Sequence, residues 1–138
     1  MKTVSDIMTE DVVCLSADDS IEYAAQQMCD IDVGIMPVTE GGKLIGVITD
    51  RDICCRVVAA GKDAGQTSVE SVMSTEIVSC GPQADISEAV ELMSEHQIRR
   101  LMIVDDSEQL VGVVAQADIA TEPGMQRETE QLVERVSH

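Results

Sequence analysis

The sequence contains two copies of one segment, and this internal repeat limits the possible folds more than any other feature. Residues 5–28 align with residues 70–93, and the stretch "GVITDRDI" (46–53) returns as "GVVAQADI" (112–119). Identical aligned pairs include Met8 with Met73, Val13 with Val78, Ile21 with Ile86, Ala24 with Ala89 and Met28 with Met93. Repetition on this scale indicates two copies of one supersecondary unit.

Both copies have the same predicted order: strand, helix, two strands and a second helix. A short apolar strand (11–15 or 76–80) precedes a helix whose apolar residues recur every three or four positions, as on one buried helix face. Those residues are Ile21, Ala24, Ala25 and Met28, then Ile86, Ala89, Val90 and Met93. Two strands follow, at 34–38 and 43–49 or at 100–104 and 110–115, and a helix then starts at Asp50 or Gln116.

This pattern predicts an α/β fold of the α+β type, with two pseudosymmetric repeats that each have a small β-sheet with helices. Each unit has one sheet face to cover, and packing the two units together covers both. The expected bounds are repeat 1 over residues 3–60, a polar linker over 61–67, repeat 2 over 68–121 and a helical tail over 122–138. The linker stands out because it is polar and rich in glycine.

The chain is strongly acidic and almost without aromatic residues. It carries a formal net charge of -17, and Tyr23 is its lone aromatic side chain. Nucleic-acid binding needs a basic surface that displaces counterions, and stacking on single-stranded bases needs aromatic rings. We therefore expect neither nucleic acid nor an anionic membrane as partner. No apolar run approaches the ~20 residues of a membrane span, so a cytoplasmic protein is expected.

The five cysteines are Cys14, Cys29, Cys54, Cys55 and Cys80. They show no Cys-x-x-Cys spacing, and with two histidines beside them they do not supply the closely spaced ligands of a zinc site. No metal is expected. Because most of them lie in apolar runs, we expect buried, reduced thiols without a disulfide. The adjacent Cys54 and Cys55 leave a redox-sensing role open.

The ordered set of motifs resembles a tandem pair of cystathionine-β-synthase (CBS) domains, the Bateman module. The first copy has "DIM", "GIMPV" and "GVITDRDI", and the second has "SVM", "HQIRRLMIV" and "GVVAQADI". The resemblance covers residues 3–121 and is similar in detail to stand-alone CBS-pair proteins, which include the hypoxic-response proteins. It implies homodimers and two clefts between the repeats that bind AMP, ADP, ATP, NAD or S-adenosylmethionine, and it implies neither an enzyme nor a required cofactor.

The resemblance gives the strand–helix junction at Thr49 a ligand-binding role. It implies a phosphate at Thr49, a ribose at Asp52, and adenine beside the backbone near Val13, Cys14, Val33 and Gly34. The chemistry of the residue types agrees, because a hydroxyl can donate to a phosphate and a carboxylate accepts from ribose hydroxyls. A Thr and an Asp at a helix start are also ordinary N-caps, so capping alone is the alternative interpretation.

The second copy departs from this pattern because Ala115 stands where the first copy has threonine, whereas Asp118 keeps the ribose acceptor. A lost hydrogen bond to a charged group is worth roughly 1.5–3 kcal/mol, so we expect the second site to be weaker. Arg99 and Arg100 precede this junction, and successive strand residues face opposite sides of a sheet. An arginine turned towards the cleft would neutralise a phosphate; the alternative is a solvated side chain.

Two functions compete at this point. One is a regulatory, signal-transducing sensor whose homodimer or partner geometry changes when an adenine nucleotide binds. The other is a ligand-free interaction or stress-response protein that keeps the scaffold. An enzyme is not expected, because the sequence shows no nucleophile with a base and an orienting group. The homodimer is expected to form through the helices that follow Thr49 and Gln116.

Overall fold

The structure is a computed structural model that describes residues 2–136, in which the chain forms two compact units. Val13–Ile77 form one unit, called the central unit because it is the middle part of the chain. Met1–Val12 and Val78–His138 form the other, called the terminal unit because it contains both ends. The bounds of these compact units therefore differ from those of the sequence repeats.

The central unit contains one long helix, one β-hairpin and one short helix. The elements are α1 (Ile21–Ile31), β1 (Ile35–Glu40), β2 (Lys43–Thr49) and α2 (Asp50–Ile53), which continues as a π-helical turn over Cys54–Val58. Strands β1 and β2 are antiparallel, with a register shift between Val38 and Thr39. The hairpin carries the chain directly from the end of β2 into α2.

The terminal unit has a three-stranded sheet and three helices. Its elements are a 3-10 turn (Val4–Asp6), β3 (Ser79–Cys80), α3 (Ile86–His96), β4 (Arg100–Val104), β5 (Leu110–Ala115), α4 (Gln116–Ala120) and α5 (Gln126–Val136). Strand β4 lies in the middle, parallel to β3 and antiparallel to β5.

Helices α1 and α3 bury the apolar faces that the sequence predicts. In α1, Ile21, Ala24 and Met28 are buried and Ala25 is partly buried; the matching four residues of α3 are all buried. Helix α1 begins where the Ser20 hydroxyl accepts a hydrogen bond from the Tyr23 amide at 3.1 Å. It ends at Asp32, whose φ of 57° is left-handed. Each unit has its own hydrophobic core, and the predicted α+β class with two similar repeats is confirmed.

The predicted strand at 11–15 is wrong, and the one at 76–80 is shorter than expected. In the first copy, Leu15 forms an isolated bridge with Val38, and its amide donates to the Pro37 carbonyl at 2.9 Å. Val13 and Cys14 just before it are exposed, so this stretch has no apolar face to hold it on a sheet. In the second copy the strand is reduced to Ser79–Cys80.

The segment that opens each sequence repeat packs on the sheet of the other repeat. In the terminal unit, Thr9 and Val113 exchange two backbone hydrogen bonds, at 2.9 and 3.0 Å. In the central unit, Ser74 and Val47 do the same, at 2.8 and 3.0 Å. Residues 1–12 therefore belong structurally with repeat 2, and the opening of repeat 2 belongs with repeat 1.

Each exchanged segment lies against a glycine of the strand that leads to a junction. A Cβ added to Gly46 would lie 2.5 Å from Met73 Sδ and 3.1 Å from the Ser74 carbonyl oxygen. One added to Gly112 would lie 2.5 Å from Met8 Sδ and 3.0 Å from the Thr9 carbonyl oxygen. A side chain at either position would have to displace a methionine and would also crowd a backbone carbonyl oxygen.

Replacing either glycine tests this packing. Gly46→Ala and Gly112→Ala should each lower the free energy of unfolding by about 1–3 kcal/mol, the usual effect of overpacking. Gly81→Ala is the matched control, because its added Cβ would meet its nearest atom at 3.8 Å, an ordinary contact. Urea unfolding followed by circular dichroism measures all three; equal stability of the three variants would contradict the packing described here.

Candidate functional site

Thr49 and Asp52 hold each other at the start of α2 through two reciprocal hydrogen bonds. The Asp52 amide donates to Thr49 Oγ1 at 3.0 Å, and the Thr49 amide donates to Asp52 Oδ2 at 3.0 Å. This is a complete capping box, so both residues have the structural role that the sequence left open. The Thr49 hydroxyl acts here as acceptor, and its own hydrogen therefore stays available for donation.

The second carboxylate oxygen of Asp52 forms a long salt bridge with Arg56, whose Nε lies 3.9 Å from Asp52 Oδ1. The Asp52 side chain is 17% exposed, whereas that of Arg56 is 57% exposed and its Nη1 donates to the Val72 carbonyl at 2.9 Å. The sequence analysis did not assign Arg56 to the site, although its i,i+4 spacing from Asp52 is the signal for such a pair.

The Ala115 junction keeps half of this arrangement. The Ala115 amide donates to Asp118 Oδ2 at 2.8 Å, the counterpart of the bond between the Thr49 amide and Asp52. Ala115 has no side-chain oxygen, so the reciprocal bond to the Asp118 amide is missing. Both Asp118 and Ala115 are partly buried. The carboxylate is thus held in the same way in both repeats, and the hydroxyl is present in one.

In both repeats, the residue just before the hairpin accepts a hydrogen bond from the first residue of the helix at the junction. The Asp50 amide donates to the Gly34 carbonyl, and the Gln116 amide donates to the Arg99 carbonyl, both at 2.9 Å. Gly34 therefore lies at the Thr49 junction, and both Gly34 and the preceding Val33 are partly buried.

Asp50 lies close to Gly34. A Cβ added to Gly34 would lie 3.2 Å from Asp50 Oδ2, so this carboxylate lies over the glycine. Asp50 Oδ1 accepts a hydrogen bond from the Arg51 amide at 2.8 Å. The Thr49 junction consequently carries a second negative charge beside Asp52.

Among the remaining predicted binding residues, Val13 and Cys14 have exposed side chains in the central unit. Val13 is 44% exposed, a large fraction for an apolar side chain. Arg99 is exposed before β4, and Arg100 is partly buried as the first residue of β4. All nine predicted residues are described, and each lies in the unit of the junction to which the sequence assigned it.

The cysteines correct one expectation from the sequence. None of the five is in a disulfide, but Cys14, Cys29, Cys54 and Cys55 are exposed and only Cys80 is partly buried. Burial raises the pKa of the Cys80 thiol to about 11, and the charge of Glu88 adds to this shift. Their apolar sequence neighbours suggested burial, but the α2 and π-helical turn bury Val57 and leave Cys54 and Cys55 on the surface. Across residues 2–136, no group of three or more His, Cys, Asp or Glu could hold a metal ion.

A cavity of about 300 Å³ lies in the terminal unit, away from the predicted binding residues. It is lined by Lys2, Asp85, Ile86, Ser87, Glu122, Pro123, Met125 and Glu128. Lys2 forms a salt bridge with Glu122, which raises the pKa of the lysine, and the other charged lining groups are carboxylates. Such a lining does not suit a phosphate. None of the described helices is both long and apolar enough to cross a membrane.

Comparison with known proteins gives consistent matches. The family model described as "CBS domain" matches residues 4–58 and 69–123. The chain is 44% identical over 138 residues to the CBS domain-containing protein YhcV of Bacillus subtilis, with 100% of this chain and 97% of YhcV covered. It is 36% identical over 121 residues to Hypoxic response protein 1 of Mycobacterium tuberculosis, covering 87% of this chain and 84% of that protein.

Two solved structures are similar over nearly their whole length. The crystal structure of Hypoxic Response Protein I with two coordinated zinc ions has a TM-score of 0.80 and 35% identity, and the match covers 88% of this chain and 100% of that chain. The CBS domain pair of protein MJ0100, in complex with 5′-methylthioadenosine and S-adenosyl-L-methionine, has a TM-score of 0.74 and 26% identity. That match covers 86% of this chain and 97% of the other.

Proposed function

The chain belongs to the CBS domain family, and from that premise we propose that it is a sensor that binds an adenine nucleotide. A CBS pair is a regulatory module, and the proposed ligands are AMP, ADP, ATP, NAD or S-adenosylmethionine. The proposed signal is a change in the geometry of a homodimer or of a partner protein that is still to be identified. We propose no catalytic activity, no required cofactor and no binding to nucleic acid.

The observation that carries this proposal is the way both repeats hold an aspartate carboxylate. In each junction a backbone amide occupies Oδ2 of the aspartate, at 3.0 Å for Asp52 and 2.8 Å for Asp118. The orientation of each carboxylate is therefore restricted, and among residues 2–136 no hydrogen bond occupies its Oδ1, although Arg56 lies 3.9 Å from the Oδ1 of Asp52. An acceptor held in this way suits the two vicinal hydroxyls of a ribose, which are donors. The adenosyl ligands of the MJ0100 pair belong to the same chemical class.

The ligand-free alternative has its own support. The reciprocal bonds of Thr49 and Asp52 form a complete cap, and a helix start needs no ligand to explain them. Asp118, however, keeps its bond to the backbone although the hydroxyl of the cap is lost. Because the carboxylate is present even where the capping hydroxyl is missing, it favours a role beyond capping. For that reason we prefer the nucleotide-sensor proposal to the ligand-free scaffold.

Asparagine at the two positions separates binding from capping. In Asp52→Asn and Asp118→Asn, the side-chain carbonyl can still accept the backbone amide, whereas the amide nitrogen cannot accept a ribose hydroxyl. Each change should weaken adenosine-compound binding at its own junction by about ten- to a hundredfold, the effect of losing a charged hydrogen bond. Calorimetry with AMP, ADP, ATP, NAD and S-adenosylmethionine measures the affinities.

The chain offers a matched control for this experiment. Asp19 Oδ2 accepts the Ser16 amide at 2.8 Å, the same i,i+3 bond at a position away from either junction. Asp19→Asn should leave all affinities unchanged. If the wild-type chain binds no member of the panel, the ligand-free scaffold is favoured. If Asp19→Asn loses as much affinity as the other two variants, Asp52 and Asp118 have no special role in binding.

We also propose that the homodimer forms through the segments that follow Thr49 and Gln116. The α2 and π-helical segment exposes Cys54, Cys55 and Val58, and Val58 is 69% exposed. In α4, Ala117 and Ala120 are exposed as well. Adjacent exposed apolar side chains are typical of a surface that another protein covers.

A carboxylate at position 58 tests the proposed interface. Light scattering should give a dimer for the wild-type chain at micromolar concentration and a monomer for Val58→Glu, because an unpaired charge is strongly unfavourable in an apolar interface. Val133→Glu is the control, since Val133 is an exposed valine (41%) on α5. A monomeric wild-type chain, or a Val58→Glu variant that stays dimeric, would contradict the proposal.

A further inference from the structure

The cavity of about 300 Å³ in the terminal unit lies at the start of α3, where the two repeats differ. In the first repeat, the linker packs on the start of the matching helix α1, and the Ile21 amide donates to the Thr67 carbonyl at 2.9 Å. In the second repeat, a backbone bridge joins Thr3 to Asp85, and the cavity lies beside it. Its volume is at the lower end of the range for sites that bind small molecules.

Backbone hydrogen bonds hold the walls of this cavity in place. The Val4 amide donates to the Ala84 carbonyl at 2.9 Å, which ties the N-terminal segment to the residues just before α3. At the start of α5, the amide and the hydroxyl of Thr129 both donate to the Met125 carbonyl, at 2.9 and 2.7 Å. A cavity whose walls are held in this way needs little rearrangement to receive a ligand.

The lining of the cavity is negatively charged. Its charged side chains are three carboxylates, from Asp85, Glu122 and Glu128, and one ammonium group, from Lys2. These four side chains leave a net charge of -2. Helices α3 and α5 both start at the cavity, and each helix start contributes a partial positive charge of about half a unit. The carboxylates outweigh that contribution, so the cavity attracts cations.

One of the carboxylates is already paired with an ammonium group, and another lacks a donor. Lys2 Nζ donates to Glu122 Oε1. The Oε2 of Glu128, in contrast, is buried and has no hydrogen-bond partner among residues 2–136. Asp85 is exposed, and its side chain makes no capping hydrogen bond to α3. A buried carboxylate without a donor is costly, so a cation bound beside Glu128 would stabilise it.

This lining fits an extended organic cation better than a metal ion. Across residues 2–136, no three His, Cys, Asp or Glu residues are placed to hold one metal ion, so the carboxylates of the cavity do not converge on a single point. Ile86, Pro123 and Met125 add an apolar part to the lining. An aliphatic polyamine has ammonium groups separated by methylene chains. It can therefore pair with separate carboxylates and place its methylenes on apolar side chains.

We propose that this cavity binds an aliphatic polyamine, whose ammonium groups pair with Glu128 and Asp85 and whose methylenes lie on the apolar lining. The site uses none of the residues assigned to the two junctions, so the inference does not rest on the proposed nucleotide function. It gives the chain a second ligand, with a charge opposite to that of a nucleotide.

Calorimetry with spermidine and putrescine on the full chain tests the proposal. A salt concentration of ~150 mM screens the general attraction between a polyamine and an acidic protein. Glu128→Gln and Asp85→Asn should each weaken spermidine binding about ten- to a hundredfold, because each removes one charged hydrogen bond. Glu130→Gln is the matched control and should bind as the wild-type chain does, since Glu130 is exposed on the same helix and does not line the cavity.

A further variant and two further ligands test the shape and the charge of the site. Ser87→Leu should also weaken spermidine binding, because Ser87 is an exposed lining residue and a larger side chain narrows the cavity without changing its charge. Neither Mg²⁺ nor 1,4-butanediol, the uncharged analogue of putrescine, should bind there.

Four results would overturn the proposal. They are a wild-type chain that does not bind spermidine, equal losses in Glu128→Gln and Glu130→Gln, full affinity in Ser87→Leu, and binding of Mg²⁺ or of the diol that depends on Glu128.

Discussion

In each unit, the strand that leads to the junction is held in place by close packing. A glycine of that strand lies against the segment that opens the other sequence repeat and contains Met8 or Met73. Gly46 and Gly112 admit the backbone of Ser74 and Thr9, and the adjacent residues Val47 and Val113 then form two hydrogen bonds with those segments. The junctions begin within three residues of these contacts, at Thr49 and Ala115. Successive side chains of a strand point to opposite faces of the sheet. The contact at the glycine therefore also determines the face on which the side chains at the junction lie.

This backbone frame leaves the side chains at the junction free to diverge. The Asp50 and Gln116 amides, at the first residues of α2 and α4, donate to the carbonyls of Gly34 and Arg99. These hydrogen bonds join backbone atoms, so they do not depend on the side chains of the residues. Asp52 and Asp118 are held by the backbone in both cases. A duplicated unit can thus keep one carboxylate held by the backbone and change the charged side chains around it.

Much of the fold could be predicted from local patterns. The apolar spacing in residues 21–28 and 86–93 predicted α1 and α3 with their buried faces, and pairs of short apolar runs joined by a polar loop predicted both hairpins. The exchange of opening segments could not be predicted, because residues 5–12 and 70–77 are similar and either could pack on either sheet. The exposure of Cys54 and Cys55 was missed because an apolar neighbourhood in sequence does not fix the direction of a side chain on a helix.

For the candidate site, the sequence proposed residues but could not give their geometry. Repeat alignment identified Thr49, Asp52 and Asp118, but the mutual capping of Thr49 and Asp52 and the carboxylate of Asp50 over Gly34 needed three-dimensional contacts. For Arg99 and Arg100, the sequence left the direction open. The pairing of Arg100 with Ala115 supplied the missing fact, since register is set by long-range hydrogen bonds.

The central proposal is that both junctions hold a ribose, and amide chemical shifts of the ¹⁵N-labelled full chain test it most directly. Adenosine should shift the amide signals of Asp52 and Asp118 together. Shifts absent from both junctions, or gathered instead around the cavity beside Lys2 and Glu128, would contradict the account.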